Sequence, residues 1–294
     1  ARYGKNVVLM RDMTDTMYNP ARRPFVSHFM GTDLIVEHIE KWVCPTITSD
    51  QLIGGETFRF AGDRRPHVVI AMAEREYKTN QTLPAWAISH LGKQYRVTLI
   101  HANEKDRHDL PGIEAALEDA DLLLVSVRRR ALPAKQLAAV QRFVKSGKPV
   151  LGIRTANHAF SLRGTAPPDG CNVWETFDAD VIGGSYSGHH KDGATAKIAV
   201  TKGRARHPIL RGVAIDKLVG HGSLYQVSPL NAGADPLLTG TVGGQFTEPL
   251  AWTNTTKFGG KAFYTSLGHS DDLQQSDVRQ LLQNAVAWLL NSND

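Results

Sequence analysis

Residues 67–73, His-Val-Val-Ile-Ala-Met-Ala, form the first of four short apolar runs in the middle of the chain. The others are Tyr95–His101, Ala120–Val127 and Pro149–Arg154. Helical patterns separate them, at Thr82–Leu91, Ile113–Glu118 and Pro133–Ser146. Strands that alternate with helices predict βαβ units. We therefore expect an α/β fold with a parallel sheet that is covered by helices on both faces.

After Phe160 the sequence becomes rich in glycine, proline and histidine, with short β-type segments. These segments are Thr195–Val200, Leu224–Val227, Pro249–Thr253 and Lys261–Ser266. A final helix is predicted to start near Ser276, because apolar residues recur from there at helical spacing. Residues 61–294 are thus expected to form the main α/β domain, with 1–60 as a short strand-helix-strand appendage.

The charge balance argues against a nucleic-acid partner. The 294 residues carry 34 Lys and Arg against 29 Asp and Glu, a net charge of +5, with acids and bases interleaved. The one dense basic run, Arg128–Arg130, is expected to be a solvated loop, although it could hold a carboxylate or phosphate. A nucleic-acid binder would concentrate its basic residues on one face.

The apolar content also excludes a membrane span, since no run reaches the ~18 consecutive apolar residues that a span requires. We expect a soluble protein, either cytoplasmic or exported after removal of a signal. Its two cysteines are too few for a disulfide scaffold or a four-thiolate zinc site. The sequence leaves a homo-oligomer open.

Polar residues follow each of the four predicted strands, where an open α/β sheet binds its ligands. They are Glu74 and Arg75, Asn103 and Glu104, Arg128–Arg130, and Arg154, Thr155, Asn157 and His158. Glu74 is a candidate acid or base, and Arg154 and His158 are candidates for orienting a substrate. Exposed loops are often polar for no functional reason, so this pattern also has a plain structural explanation.

Histidines in glycine-containing loops form a second group of candidates. They lie in Gly188-His189-His190, His207-Pro208, Gly220-His221-Gly222 and Gly268-His269-Ser270-Asp271-Asp272. Glycine permits close approach of the backbone to a ligand, and histidine beside aspartate can act as a base or a metal ligand. Asp271 and Asp272 could instead favour the N-terminus of the last helix. A divalent metal would have to be held by residues from separate loops, since no HExxH motif is present.

The sequence contains neither a cysteine nucleophile at the expected turn nor a glycine motif for a phosphate-bearing cofactor. The turn after Pro149–Arg154 is placed like a nucleophile elbow, yet it carries no cysteine, which disfavours amidotransferase chemistry. Gly183-Gly184 and Gly243-Gly244 are predicted to be turns, because neither belongs to a phosphate-binding glycine motif.

The region from about 67 to 290 resembles the trehalose-utilisation (ThuA-like) family, a branch of the class I glutamine-amidotransferase-like, flavodoxin-like superfamily. The resemblance is carried by residues 183–190, 207–209, 222–226, 249–253, 263–269 and 281–288. It implies a flavodoxin-like domain in carbohydrate metabolism, on trehalose or a 3-keto-glycoside. Members often carry histidine near the elbow, where this chain has Arg154 with His158 four residues later.

Residues 1–60 resemble a different family, the closing portion of isochorismatase-like cysteine hydrolases. Residues 6–17 and His38-Ile39-Glu40 carry this likeness. In that family the nucleophile would precede this portion. The resemblance therefore implies either an incomplete remnant without catalytic activity or a chain that was cut from a longer fusion.

These observations together predict a sugar-processing enzyme that uses histidine-centred acid–base chemistry. The candidate acid–base residues are His189, His190, His269 and Glu74. The candidate substrate-binding residues are Arg154, His158, Tyr225, Trp252 and Asp271, with Tyr225 offering a hydroxyl and Trp252 a stacking face. The alternative is a non-catalytic carbohydrate-binding module of a larger fusion protein. An amide or peptide hydrolase is the least favoured, because its nucleophile is absent.

Overall fold

The computed structural model describes residues 52–53, 59–60, 64–191 and 193–291. Within the N-terminal segment, Leu52–Ile53 and Arg59–Phe60 pair antiparallel. The remnant expected over residues 1–60 lies otherwise outside the described residues. Its separation as a domain stays a prediction.

The four predicted parallel strands are confirmed almost residue for residue. They are β1 (His67–Ala73), β2 (Arg96–His101), β3 (Leu122–Val127) and β4 (Val150–Ile153). They lie in the order β2–β1–β3–β4 and pair in parallel, which is the flavodoxin-like order. Because β1 has β2 on one side and β3 on the other, the carboxyl ends of β1 and β3 form the topological switch point.

From Gly188 onward, seven strands follow in the described part of the chain, and five of them widen the sheet. The seven are β5 (Gly188–His190), β6 (Ala196–Val200), β7 (Val219–Gly220), β8 (Leu224–Gln226), β9 (Ala234–Val242), β10 (Phe246–Thr255) and β11 (Lys261–Thr265). The nine-stranded sheet runs β7–β6–β9–β10–β11–β4–β3–β1–β2. β11 is parallel to β4, and the pairs from β11 outward to β7 are antiparallel. β5 and β8 form a separate antiparallel pair.

The hairpin between β9 and β10 contains both a confirmed prediction and a missed strand. Gly243 and Gly244 have positive φ angles of 61° and 71° and lie in the three-residue loop between the paired residues Val242 and Phe246, so the predicted turn is correct. β9 itself was not predicted. It contains Pro236 next to a register irregularity, and proline hides the pattern of a strand.

In the described part of the chain, four α-helices cover the two faces of the parallel half. They are α1 (Thr79–Trp86, continued by a π-helical turn at Ala87–Leu91), α2 (Ile113–Ala116), α3 (Ala134–Lys145) and α4 (Ser276–Leu290). Of the helices described, none combines the length and apolar character that crossing a bilayer demands.

Alternate residues of β1 enter two different cores. Val68, Ile70 and Met72 share one core with side chains of α1 and α4, whereas Val69 and Ala71 share the other with side chains of α2 and α3. Side chains of a strand alternate between faces, so a fully apolar strand indicates that both faces are covered. The expected arrangement of helices on both sides of the sheet is confirmed.

Candidate functional site

A strained turn at Arg154 lies at the centre of the candidate site. β4 ends at Ile153, and Arg154 opens a 3₁₀ helix, Arg154–His158, with a φ of +44°. This left-handed conformation is costly for a residue with a side chain and is typical of functional turns. The Tyr264 hydroxyl donates to the Arg154 carbonyl at 2.6 Å and so holds the turn in place.

The Arg154 guanidinium is buried between two aromatic rings. It lies 3.9 Å from the centroid of Tyr77 and 4.7 Å from that of Tyr225, distances at which a cation is attracted to the ring face. Nη1 and Nη2 donate to the carbonyls of Ser266 (2.7 Å) and Ser223 (3.3 Å). The side chain therefore has one well-defined position, 2% exposed.

A buried carboxylate, Asp272, joins two histidine loops beside this arginine. Its Oδ1 accepts the backbone N–H of His221 at 2.8 Å and lies 3.0 Å from the Nδ1 of the same residue. Its Oδ2 accepts the backbone N–H groups of Gly268 (2.8 Å) and His269 (3.0 Å). Asp272 is fully buried, so one carboxylate organises both loops.

Glycines on either side of these histidines allow the loops to approach Arg154. At Gly222, with φ +76°, a Cβ would lie 2.5 Å from Nη2 of Arg154. At Gly268, with φ +150°, a Cβ would lie 2.6 Å from a methyl carbon of Ile153. Both positions therefore require glycine for conformation and for space.

The two histidines differ in which ring nitrogen is engaged. Nδ1 of His221 donates to Asp272, so Nε2 of neutral His221 carries a lone pair. Nδ1 of His269 accepts the backbone N–H of Asp271 at 3.2 Å, so Nε2 of neutral His269 carries the proton. Among the described residues neither Nε2 has a hydrogen-bond partner. The pair offers a base and a proton donor.

These two imidazoles lie side by side and partly exposed. Their ring centroids are 6.2 Å apart, and the ring of Tyr77 lies 6.0 Å from that of His269. Both side chains are about 30% exposed, at 29% and 30%. We call His221, His269, Asp272, Tyr77 and Arg154 the histidine–arginine cluster.

His158 lies on the other side of Tyr225, in a positively charged environment. Its ring is 4.6 Å from that of Tyr186 and 6.0 Å from that of Tyr225. Burial, and then the nearby arginines, of which Arg129 contributes most, lower the pKa of His158 to about 3. The imidazole is therefore uncharged at neutral pH.

His189 reaches this same region, whereas His190 does not. The Tyr186 hydroxyl and Nδ1 of His189 are 2.7 Å apart. Nε2 of His190 instead lies 3.1 Å from Oε1 of Glu248, and its ring stacks on Phe246 with centroids 4.6 Å apart. Adjacent residues of a strand face opposite sides, which separates the two histidines.

Glu74 is positioned at the start of α1. Its carboxylate is buried and accepts the backbone N–H groups of Tyr77 (2.8 Å) and Thr79 (2.7 Å), together with the Thr79 hydroxyl. These bonds engage both oxygens and stabilise the beginning of the helix. They give Glu74 a structural role in this conformation.

Two other expectations need correction. Trp252 was expected to present a stacking face, but its indole is fully buried against Tyr264, with ring centroids 4.3 Å apart, and Nε1 donates to the Ile182 carbonyl at 2.8 Å. Trp252 is a core residue, because its side chain lies on the inward-facing side of β10. Arg128–Arg130 is not a solvated loop, because Arg130 is buried and the other two are half-buried.

The structure thus brings together His269, Arg154, Tyr225, His158 and His189. The side chains of Glu74, His190 and Trp252 are bonded instead to backbone N–H groups at the start of α1, to Glu248 and to the Ile182 carbonyl. Asp271 is beside His269 but is itself exposed, with its Oδ2 3.6 Å from Nδ1 of His269.

The candidates selected from the sequence leave out four members of this region, Tyr77, Tyr186, His221 and Asp272, the last of which was named only with its loop. The Gly220-His221-Gly222 loop was noticed, but its histidine was not selected. The glycines on both sides of His221 were a usable signal. Nothing in the local sequence distinguishes Tyr77, which matters because of its contact with Arg154 across the fold.

A cavity of about 310 Å³ lies elsewhere, lined by Ala134, Leu137, Ala138, Gln141, Pro167, Asn172 and Val173. It shares no residue with the histidine–arginine cluster and carries no titratable side chain. We therefore assign the chemistry to the cluster and not to this cavity.

Comparison with known proteins identifies a matching family and similar structures. Residues 67–289 match the family model described as ThuA, trehalose utilisation. A ThuA-like protein from Bacteroides uniformis has a similar structure, with a TM-score of 0.57 and 15% identity over 79% of this chain and 94% of that chain. A ThuA-like protein from Parabacteroides merdae has a TM-score of 0.55 and 14% identity, over 77% of this chain and 90% of that chain. No curated protein matches the chain.

Proposed function

The chain belongs to the ThuA (trehalose utilisation) family, and on that premise we propose that it is an enzyme that acts on a trehalose-type or 3-keto-glycoside sugar. The observation that carries the proposal is the pair His221 and His269, held on Asp272 beside Arg154. A buried carboxylate that orients an imidazole is a recurring means of preparing a base.

The two imidazoles would divide the work. Nε2 of His221 takes a proton from the substrate, and Asp272 stabilises the imidazolium that forms. Nε2 of His269 gives a proton to the departing oxygen. On a 3-keto-glycoside the carbonyl acidifies the adjacent C–H, so loss of that proton and of the protonated glycosidic oxygen is a balanced elimination, to which water adds afterwards. Groups of this kind contribute typically ~10²–10⁴-fold each.

Arg154 and its aromatic neighbours would orient the sugar. The guanidinium is held by Tyr77 and Tyr225, whose hydroxyl oxygens are 3.3 Å apart. His189 and His158 would contact the far side of the substrate, and Asp271 would lie at the outer edge. We no longer assign acid–base chemistry to His190 or Glu74, because their side chains are committed to Glu248 and to the start of α1.

The case for a metal is weak on the present donor set. Within the described part of the chain, no group of three or more His, Cys, Asp and Glu side chains is arranged to hold an ion. We derive no step through a metal. Its requirement is settled by adding Zn²⁺ or Mn²⁺ in the experiment below.

One observation favours a second function, a non-catalytic carbohydrate-binding module. The elbow position that carries a nucleophile in related folds is filled here by Arg154, which is buried and donates from Nη1 and Nη2 to backbone carbonyls. Sugar binding needs hydrogen bonds and aromatic faces more than it needs a base.

Mass spectrometry of the protein incubated with trehalose and 3-keto-trehalose, with and without Zn²⁺ or Mn²⁺, distinguishes the two functions. An enzyme converts a sugar, and its rate bends with pH in the range where imidazoles titrate, ~6.5 when unperturbed. A binding module raises its melting temperature with the sugar but yields no product.

The decisive variants are His221→Ala and His269→Ala, with His90→Ala as the matched control at the far end of α1. We expect the first two to lose ~10²-fold or more of kcat/KM while the control keeps it. Full activity in both variants, folded by circular dichroism, would exclude the proposed acid–base roles.

A further inference from the structure

The loop Arg128–Arg130, which follows β3 and which we call the arginine loop, packs against the turn Arg154–His158 after β4. The Arg128 N–H donates to the Ala73 carbonyl at the end of β1 (3.3 Å), and the Arg129 N–H donates to the His158 carbonyl (3.1 Å). The loop therefore lies at the topological switch point, where open α/β sheets bind their ligands.

A fourth arginine, Arg163, reaches the region of His158 from the loop that follows the Arg154–His158 turn. Nη2 of Arg163 donates to the Tyr186 carbonyl at 2.9 Å, and its guanidinium lies 5.0 Å from the centroid of the Tyr186 ring. Because that ring also contacts His158, Arg163 and Arg129 approach His158 from two directions.

The guanidinium groups in this region outnumber the carboxylates that pair with them. Arg128 pairs with Glu76 at 2.7 Å, but both side chains are about 40% exposed, and such surface pairs hold weakly. Neither Arg129 nor Arg163 has a carboxylate within 4 Å among the described residues. Among the described residues, the three guanidinium groups thus have one carboxylate at ion-pair distance, that of Glu76 beside Arg128.

Further features of Arg129 and Arg163 indicate that these side chains lack a counter-ion within the described residues. Nε of Arg129 is buried without a hydrogen-bond partner in the described structure, which is costly for a charged donor. Arg129 and Arg163 also adopt left-handed φ angles of +49° and +55°. Burial, followed by Arg163 and Arg128, lowers the pKa of Arg129, as expected for cations that lack a counter-ion.

Arg130 also has a buried Nε without a hydrogen-bond partner in the described structure, but its Nη1 donates to the carbonyls of Arg128 and Arg129. Through Nη1 its side chain therefore braces the loop. The neutral His158 adds no charge, and its Nδ1 lies 2.9 Å from Oδ1 of Asn157.

We infer that Arg128, Arg129 and Arg163 form a subsite for the anionic group, a carboxylate or a phosphate, of an acidic sugar. The inference rests on the proposed function, since it specifies the class of sugar that the same rim receives. Guanidinium groups recognise the paired oxygens of carboxylates and phosphates through charge-assisted hydrogen bonds.

The subsite adjoins the histidine–arginine cluster through stacked rings. Tyr186 packs on Tyr225 with centroids 4.6 Å apart, and Tyr225 packs on Arg154. A ligand whose acidic end lies among the arginines would extend its neutral end over this aromatic layer towards His269.

Calorimetric titration of the full chain with glucuronate, glucose 6-phosphate and glucose tests the inference. We expect at least one acidic sugar to bind roughly tenfold or more tightly than glucose, with an advantage that shrinks as NaCl is added. Preference for glucuronate identifies a carboxylate, and preference for glucose 6-phosphate identifies a phosphate. Equal binding of glucose and both acidic sugars, or no binding by either acidic sugar, overturns the subsite.

The variants are Arg129→Gln and Arg163→Gln, with Arg142→Gln on the exposed end of α3 as the matched control. The first two should weaken binding of the acidic sugar about tenfold or more, and the control should leave it unchanged. Arg163 is exposed, so its substitution is compatible with folding. Unchanged binding in Arg163→Gln and Arg129→Gln contradicts the inference.

The result is separable from the proposed function. Binding of the acidic sugar is measured without turnover, whereas His221→Ala and His269→Ala report on turnover. If the histidine variants kept full activity, the catalytic proposal would be wrong and the binding result would be unaffected. If the acidic sugars failed to bind, the subsite would be wrong and the activity of the histidine variants would still test the catalytic proposal.

Discussion

Asp272 holds His221 twice, through the backbone N–H at 2.8 Å and through the imidazole Nδ1 at 3.0 Å. The first bond positions the loop, and the second selects the orientation and tautomer of the ring. The same carboxylate is hydrogen-bonded to the loop of His269, so a single buried charge aligns both imidazoles.

Replacement of Asp272 tests this relationship. Asp272→Asn keeps the volume but turns one oxygen into an N–H₂ group that faces backbone donors. We expect the free energy of unfolding to fall by ~1–3 kcal/mol and kcat/KM to fall by about a hundredfold or more. Urea denaturation and steady-state kinetics measure the two effects.

Asp271→Asn is the matched control for stability, because Asp271 is adjacent but exposed. Its free energy of unfolding should change by no more than ~0.5 kcal/mol. Equal stability losses in the two variants would show that Asp272 does not organise the loops.

The pair Gly222→Ala and Gly170→Ala separates backbone strain from crowding. The two glycines have φ angles of +76° and +77°, but only at Gly222 would the new Cβ meet Arg154; at Gly170 nothing lies within 4 Å. Both variants should lose ~1–2 kcal/mol of stability through strain. Only Gly222→Ala should displace the guanidinium and reduce activity, by up to about a hundredfold. Equal activities would indicate that the position of Arg154 is unimportant.

The lowered pKa of His158 predicts how stability depends on pH. In the folded protein the imidazole resists protonation until about pH 3, whereas in the unfolded chain it takes a proton near ~6.5. The unfolded state therefore binds more protons between these values. The contribution of His158 to stability is complete above about pH 6.5 and declines as the pH falls towards 3.

His158→Gln should weaken this dependence. Urea midpoints measured from pH 7 to pH 4 should fall less steeply in His158→Gln than in the wild type. His189→Gln, at an exposed position in the same region, controls for the loss of an imidazole. Parallel pH curves for the wild type and His158→Gln would contradict the prediction.

Trp252→Phe tests whether this residue belongs to the core. Loss of the Nε1 bond to the Ile182 carbonyl and of ring volume should lower the free energy of unfolding by ~1–3 kcal/mol. Sugar affinity should be unchanged, and Trp288→Phe, which is partly exposed, should cost less stability. A selective loss of sugar binding in Trp252→Phe would restore its earlier assignment as a stacking face.

The α/β architecture was predictable because its signals are local. Apart from His67 and Ser126, the residues of β1 and β3 are apolar, and a strand of that kind is stable only when both of its faces are covered. The position of the rim follows from the same reasoning, since parallel strands bring their carboxyl ends to one edge. β9 was missed because Pro236 interrupts its pattern.

The composition of the site could be predicted only in part. Arg154 and His158 directly follow a recognisable strand, and glycines mark the loop of His269. Trp252 was misassigned, because a sequence does not distinguish an aromatic ring that faces a ligand from one that faces the core.

Local sequence thus specified the elements, their order and the edge at which ligands bind, because hydrophobic periodicity and strand direction are properties of neighbouring residues. It did not specify which side chains meet at that edge. Tyr77 and Arg154 are 77 positions apart in the chain, and Asp272 is 51 positions from His221. Contacts over such separations arise when the whole sheet packs, and they determine which histidine is oriented as a base and which arginine lacks a partner.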